Sequence, residues 1–178
     1  MARPVLKLQL RLEEFDERPF VPFLDACIRA GIEFTTMAAL GDSPANRRRL
    51  YELNKECSQD IPGRGEFYTF DDYQDRRIER PSYNPAGVII ARDGEKWVGM
   101  SALSDWRDRG FAFAEMTGVL RQYRRRGLAI AMKILTIRFA RTLGVDRILT
   151  FQDAENAAPI ALNRSLGFVP TEWESLFE

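Results

Sequence analysis

The run Thr117-Gly118-Val119-Leu120-Arg121-Gln122-Tyr123-Arg124-Arg125-Arg126-Gly127-Leu128-Ala129-Ile130-Ala131-Met132-Lys133 constrains the fold more than any other stretch of the chain. It reads as a strand that ends, a basic glycine-containing turn, and a helix that begins. Upstream, Phe111 to Val119 alternates large and small side chains with aromatic and β-branched content, as a strand crossing a packed sheet does. Downstream, Leu128, Ala131, Met132, Leu135, Phe139 and Leu143 recur at helical spacing, and Lys133, Arg138 and Arg141 fall largely off that stripe. A helix start leaves about four backbone N–H groups unpaired and carries roughly half a positive charge, so it attracts anions. Gly127 permits close approach to the backbone, small Ala129 keeps the approach open, and Arg124, Arg125 and Arg126 add full charge. The expected guest is a phosphate or pyrophosphate.

Composition narrows the chemistry further. The 178 residues are 45% hydrophobic and 29% charged, with 26 basic and 26 acidic side chains, which suits one globular domain and gives nucleic acid no global attraction. No apolar run approaches a membrane span and the N-terminus lacks a signal-peptide segment, so a cytoplasmic protein with no membrane partner is expected. The chain has no histidine, which removes His-based triads, His-ligated metals and His general bases at once. Cys27 and Cys57 are isolated and predict neither a disulfide framework nor a metal site; a covalent acyl route through Cys57 is a remote alternative.

In chain order, Val5 to Leu12 alternates like a half-buried strand, and Phe20 to Ala30 reads as a helix capped by Gly31. Ile32 to Met37 is a strand, Ser43-Pro44 opens a helix, and Asp60 to Gly65 is a loop. Thr69-Phe70-Asp71-Asp72 resembles a capping box opening a helix that ends before Pro81. Gly87 to Ala91 and Trp97 to Leu103 form an antiparallel hairpin across Arg92-Asp93-Gly94-Glu95. The helix from Gly127 ends at Gly144, and the strand Arg147 to Phe151 should run parallel to the central strand because a helix crossover joins them. Asn156 is placed to cap a last helix that ends at Gly167.

Arg124-Arg125-Arg126-Gly127-Leu128-Ala129 fits the pattern Arg/Gln-x-x-Gly-x-Gly/Ala, and Asn156 to Phe168 resembles a helix closing in Leu-Gly-Phe. With the preceding strand and following helix, these resemble the signatures of the GCN5-related N-acetyltransferase (GNAT) superfamily from about Gly31 onward. The resemblance implies an α/β fold of mixed α+β type, with a central mixed, mostly antiparallel sheet whose middle strands splay, flanked by helices. It divides the chain into an N-terminal strand-and-helix extension, 1–30, packing on the domain or a partner, and an acyl-coenzyme A binding domain, 31–178. The start Gly-Ile-Glu-Phe-Thr-Thr behind such an extension is similar to the C-terminal half of tandem GNAT proteins. The family finishes with two strands, and the residues from Phe168 to Glu178 have room for one. The Val5 to Leu12 strand is therefore expected to fill the vacancy, in its own subunit or by exchange. An exposed sheet edge favours a homodimer over a monomer.

The resemblance also implies roles. Acetyl-coenzyme A would lie along Thr117, Val119 and Leu120, with a backbone N–H near Val119 aimed at the thioester oxygen. Its pyrophosphate would rest on the N–H groups of Arg126, Gly127, Leu128, Ala129 and Ile130, flanked by Arg121, Arg124, Arg125 and Arg126. Glu115, on the face of Thr117, is the expected general base for an amine acceptor. Asn163 stands where many members carry a tyrosine acid; it would hold the sulfur or the pantetheine arm, and Asn156 would contact the cofactor arm or cap its helix. Tyr123 and Tyr73 are substitutes for the acid. The Asp60 to Glu66 loop is the candidate for acceptor selection, with Asp60, Glu66, Asp105 and Glu115 as acidic pocket members. The expected activity is acetyl transfer to a primary amine of a small molecule or peptide by direct attack. A non-catalytic acyl-coenzyme A binding module is the alternative, and a nucleic-acid binder using Arg121 to Arg126 ranks below both.

Overall fold

The computed structural model describes residues 3–173. In chain order the elements are β1 (Val5–Arg11), α1 (Val21–Arg29), β2 (Ile32–Thr36), α2 (Met37–Leu40), α3 (Pro44–Cys57), α4 (Phe70–Tyr73), β3 (Val88–Asp93), β4 (Lys96–Trp106), β5 (Phe111–Val119), α5 (Leu128–Thr142), β6 (Arg147–Asp153), α6 (Ala157–Ser165) and β7 (Val169–Pro170). The strands form one sheet of seven in the order β2-β3-β4-β5-β6-β1-β7. Every neighbouring pair described is antiparallel except β5 and β6, which run parallel as the helical crossover requires. The fold class expected from the sequence is the one observed.

β1 lies inside the sheet. It pairs with β6 from Val5↔Asp153 to Arg11↔Arg147 and, on its other side, with β7 through Leu8↔Pro170 and Gln9↔Val169. Its alternation explains the placement: Leu8 and Leu10, with Leu12 just beyond, are buried on one face, while Lys7 on the other donates to the Trp173 carbonyl at 3.0 Å. The last strand spans Val169–Pro170, and 174–178 of the segment expected to supply it lie outside the described residues.

Helices cover both faces. A methyl group on Gly99 of β4 would meet Met132 of α5 at 2.9 Å, and one on Gly118 of β5 would meet Cys57 of α3 at 2.6 Å, so these glycines let the two helices seat closely against the strands. α1 packs on α5 through Leu24 and Cys27. Ser43 caps α3 by accepting from the Asn46 N–H at 3.1 Å. Thr69 caps α4 in the same way, but the reciprocal half of the box is absent: the Asp72 carboxylate accepts from the Thr69 hydroxyl instead. α4 then continues as a π-helical turn, Gln74–Ile78, which the sequence did not signal. Met37, read as the end of a strand, opens the short α2, which Thr36 caps through its hydroxyl.

Among the described residues no helix is long and apolar enough to cross a membrane.

Candidate active site

The site is created where β5 and β6 part. Their pairing runs from Phe111↔Arg147 to Phe113↔Leu149 and stops there. β6 stays paired with β1 to Asp153, and β5 stays paired with β4 to Val119, so the two halves of the sheet diverge and leave a cleft of about 490 Å³. Thr150 bridges its apex by donating to the Ala114 carbonyl at 2.9 Å. Because the Leu120 N–H bonds to the Val98 carbonyl at 2.9 Å, alternation along the antiparallel ladder turns the N–H groups of Thr117 and Val119 away from β4 and toward this cleft.

The turn at the mouth of the cleft gathers unpaired backbone donors and positive charge. Gly127, the N-cap of α5, has φ 81° and no side chain caps the helix, so the N–H groups of Leu128, Ala129 and Ile130 are left for a ligand. Arg125 has φ 62°, the sole non-glycine in the left-handed region among the described residues; such backbone costs about 1 kcal/mol or more and concentrates at functional sites. Arg124 donates to the Val119 carbonyl at 3.1 Å and to Asp60 at 2.8 Å, and Arg121 also grips Asp60. Arg121 first, then Arg124, hold the Asp60 carboxyl below the usual carboxylate range.

The cleft brings together Glu115, Thr117, Val119, Arg124, Arg125, the residues from Gly127 to Ile130, Asn156 and Asn163. Leu120 is buried beside it, Arg121 is turned to Asp60, and the Arg126 guanidinium stacks over Tyr123 at 5.1 Å; these three do not line it. Asn156 lines the cleft, and its side chain makes no cap hydrogen bond, contrary to the expected capping role. Asn163 is fully buried and its Oδ1 accepts no hydrogen bond.

Lys133 corrects the helical-wheel expectation. It is buried, lines the cleft, and its Nζ lies 5.2 Å from the centre of the Phe168 ring. Burial pushes its ammonium down to about 8, from an ordinary value of about 10.4. The displacement corresponds to roughly 3 kcal/mol against the folded state, present below the folded value and relieved as pH rises from there toward the unfolded one. Lys133→Met keeps the length and removes the charge. It is expected to stabilise the fold by about 2–3 kcal/mol at pH 7, with the gain shrinking toward pH 10. Urea melts at the two pH values check this, and an equal gain at both would refute it.

A second cavity, about 240 Å³, opens on the α3 and α4 side and meets the cleft at Glu115 and Met116, which line both. Glu115 is held there by a register shift. Ala102 faces Met116 while Leu103 faces Ala114, so Glu115 is an extra residue in β5 with no partner across the ladder. Ser104 donates to one of its oxygens at 2.9 Å and Arg77 to the other at 2.6 Å; Trp106 donates to Ser104 in turn at 2.9 Å. Ser104 and Arg77 were invisible as site residues in the sequence. Only the bulge and the π-helical turn, each marked by function more often than by chance, place them.

The other expected pocket residues are spread: Asp60 and Tyr123 line the cleft, Tyr73 the second cavity, and Asp105 and Glu66 neither. Asp60 serves the arginines of the anion turn, Asp105 accepts from Arg107 and Asn84, and Glu66 lines neither cavity, as does the rest of the loop apart from Asp60 and Ile61 on the cleft side. Tyr73 lines the second cavity, buried, with its hydroxyl accepting from Asn54 at 3.0 Å, and Tyr123 is spent on Asp93 at 2.7 Å. Burial pushes the Cys57 thiol up to about 12, which disfavours the thiolate that a nucleophile requires.

The acetyltransferase (GNAT) family model matches residues 47–168, spanning the anion turn, the splay and the closing helix. The chain belongs to the GNAT family. A mycothiol acetyltransferase from Thermobispora bispora is 29% identical over 126 residues, covering 68% of this chain and 41% of that protein. Among solved structures, a GNAT protein from Sphaerobacter thermophilus superposes with a TM-score of 0.64 at 19% identity, covering 96% of this chain and 49% of that one. A tandem GNAT protein from the clavulanic acid biosynthesis pathway gives 0.67 at 20%, covering 96% and 51%. The chain therefore spans between about two fifths and one half of the length of these relatives.

Proposed function

We infer that the chain is an acetyl-coenzyme A dependent N-acetyltransferase that delivers the acetyl group to a primary amine of a small molecule or peptide by direct attack. The observation that carries this reading is the junction of two cavities at one carboxylate: the splayed cleft with its uncapped helix start, and the second cavity, meet at Glu115. The cleft's donor set suits the cofactor. The α5 N–H groups with Arg124 and Arg125 match a pyrophosphate, and the strand N–H groups with Lys133 and the unpaired Asn163 Oδ1 offer donors and an acceptor to amides of a pantetheine arm.

Bound acetyl-coenzyme A would supply an activated acyl group. Toward it, the Val119 N–H provides a fixed dipole for charge growing on the carbonyl oxygen. Glu115 faces the acceptor side with its orientation fixed by Arg77 and Ser104, and takes the ammonium proton that must leave before attack. Asn163 would hold the pantetheine arm rather than supply a proton, which suits a thiol leaving group, whose pKa near 8.5 would demand little acid help.

Calorimetric titration with acetyl-coenzyme A, followed by thiol release against a panel of primary amines, tests the reading. Micromolar binding together with turnover of at least one amine is expected. Binding without turnover on any amine would favour a non-catalytic acyl-coenzyme A module, and no binding to the folded protein would remove both.

A further inference from the structure

The second cavity is short of negative charge. Arg76, Arg77 and Arg80 line it, and Glu115 is its sole carboxylate. Arg77 is committed to Glu115 at 2.6 Å. Arg76 and Arg80 have no carboxylate partner among the described residues; Arg76 lies over the Tyr68 ring at 5.2 Å. Behind them Arg64 stacks on Phe67 at 4.6 Å and on Tyr68 at 5.9 Å, with its buried Nε unpaired. Burial holds the Arg64 guanidinium below its ordinary value, and the charge of Arg77 adds to that.

Like charges gathered on one aromatic ridge repel, and a buried guanidinium N–H left without an acceptor is unfavourable. A ligand that brings an oxyanion into the cavity relieves the repulsion, and guanidinium forks such as those of Arg76 and Arg80 bind carboxylate and phosphate through paired hydrogen bonds. The π-helical turn Gln74–Ile78 places Arg76 and Arg77 on the cavity side, so the cluster is a consequence of local backbone rather than of scattered surface charge. The rest of the lining includes Tyr68, Tyr73, Tyr83 and Trp106, which suits an apolar or aromatic body.

Resting on the acetyltransferase reading, we propose that the acceptor is a primary amine that also carries an oxyanion, a carboxylate or a phosphate, which Arg76 and Arg80 receive while Glu115 receives the amine. The acidic pocket expected from the sequence is thereby replaced by a basic one with a single acid at the reacting end.

The test compares matched probes that differ in the oxyanion alone. Product binding is measured by calorimetry for N-acetyltyrosine against N-acetyltyramine, and for N-acetylphosphoethanolamine against N-acetylethanolamine. Wild type and an Arg76→Gln, Arg80→Gln double variant are compared. The anionic member of at least one pair is expected to bind on the order of tenfold tighter to wild type, with the ratio falling to within about twofold in the variant. The first pair reports a carboxylate source and the second a phosphate source. Equal binding within both pairs, or a preference that survives the double variant, overturns the proposal. Because these arms measure product binding, they remain decisive even where no amine is turned over, an outcome that would count against the acetyltransferase reading and leave the basic pocket standing. Acetyl-coenzyme A titration of the variant, whose altered residues do not line the cleft, verifies that it is folded.

Discussion

Gly127→Glu is expected to lower the affinity for acetyl-coenzyme A by at least about a hundredfold, read by calorimetric titration. Three effects act together at this position. The backbone sits at φ 81°, where an L side chain costs about 1 kcal/mol. A Cβ there would stand 3.0 Å from Phe23 of α1, pressing on the helix that packs behind the turn. The carboxylate would occupy the anion position at the start of α5 and repel a pyrophosphate, forfeiting charge-assisted hydrogen bonds of about 1.5–3 kcal/mol each. Stability should change less than affinity, because an acid at a helix start recovers about 0.3–1 kcal/mol from the dipole. Gly127→Ala shares the backbone and steric burden without the charge. It should lose about tenfold at most, and equal losses in the two variants would place the effect in backbone strain rather than in anion binding.

Glu115→Gln should lower kcat/KM for the amine by about a hundredfold or more at neutral pH, the usual range for losing a general base. Glutamine keeps one carbonyl oxygen to accept from Arg77 and can donate its NH2 to the Ser104 hydroxyl, whose own hydrogen can turn to the Phe113 carbonyl 3.3 Å away, so the bulge can be kept while the proton acceptor is lost. The pH dependence separates this from a packing defect. An alkyl amine with pKa near 10.4 is increasingly neutral as pH rises, so the deficit of the variant should narrow between pH 7 and pH 9. A constant deficit across that range, or a rate within twofold of wild type, would show that Glu115 is not the base.

The strand-turn-helix from Phe111 to Thr142 was legible because local chemistry dictates it: alternation in the strand, a glycine where φ must be positive, and a regular apolar repeat in the helix. The caps at Ser43 and Thr69 were legible for the same reason. What stayed hidden depends on pairing between distant segments. The extra residue at Glu115 is defined by β4, and no property of β5 alone announces it. The π-helical turn that brings Arg76 and Arg77 to the second cavity closes its hydrogen bonds over one residue more than an α-helical pattern assumes. Lys133 did leave a trace. It is the one charge between Arg126 and Arg138, in a helix apolar on nearly every side, and such helices are buried all round. Counting charge around the whole helix, instead of following its strongest stripe, would have placed Lys133 indoors.

The position of β1 has a consequence for the order in which the molecule is assembled. β1 precedes β2 to β5 in the chain, yet its neighbours in the sheet are β6 and β7, which follow them. Until those emerge, Leu8 and Leu10 have no sheet to complete, and the apolar face of β1 must wait in an open chain. Closing so long a loop is slow, and the waiting strand is available to other chains in the meantime. The far wall of the cleft is β6 paired with β1, so the cleft is complete only once this long-range closure has been made.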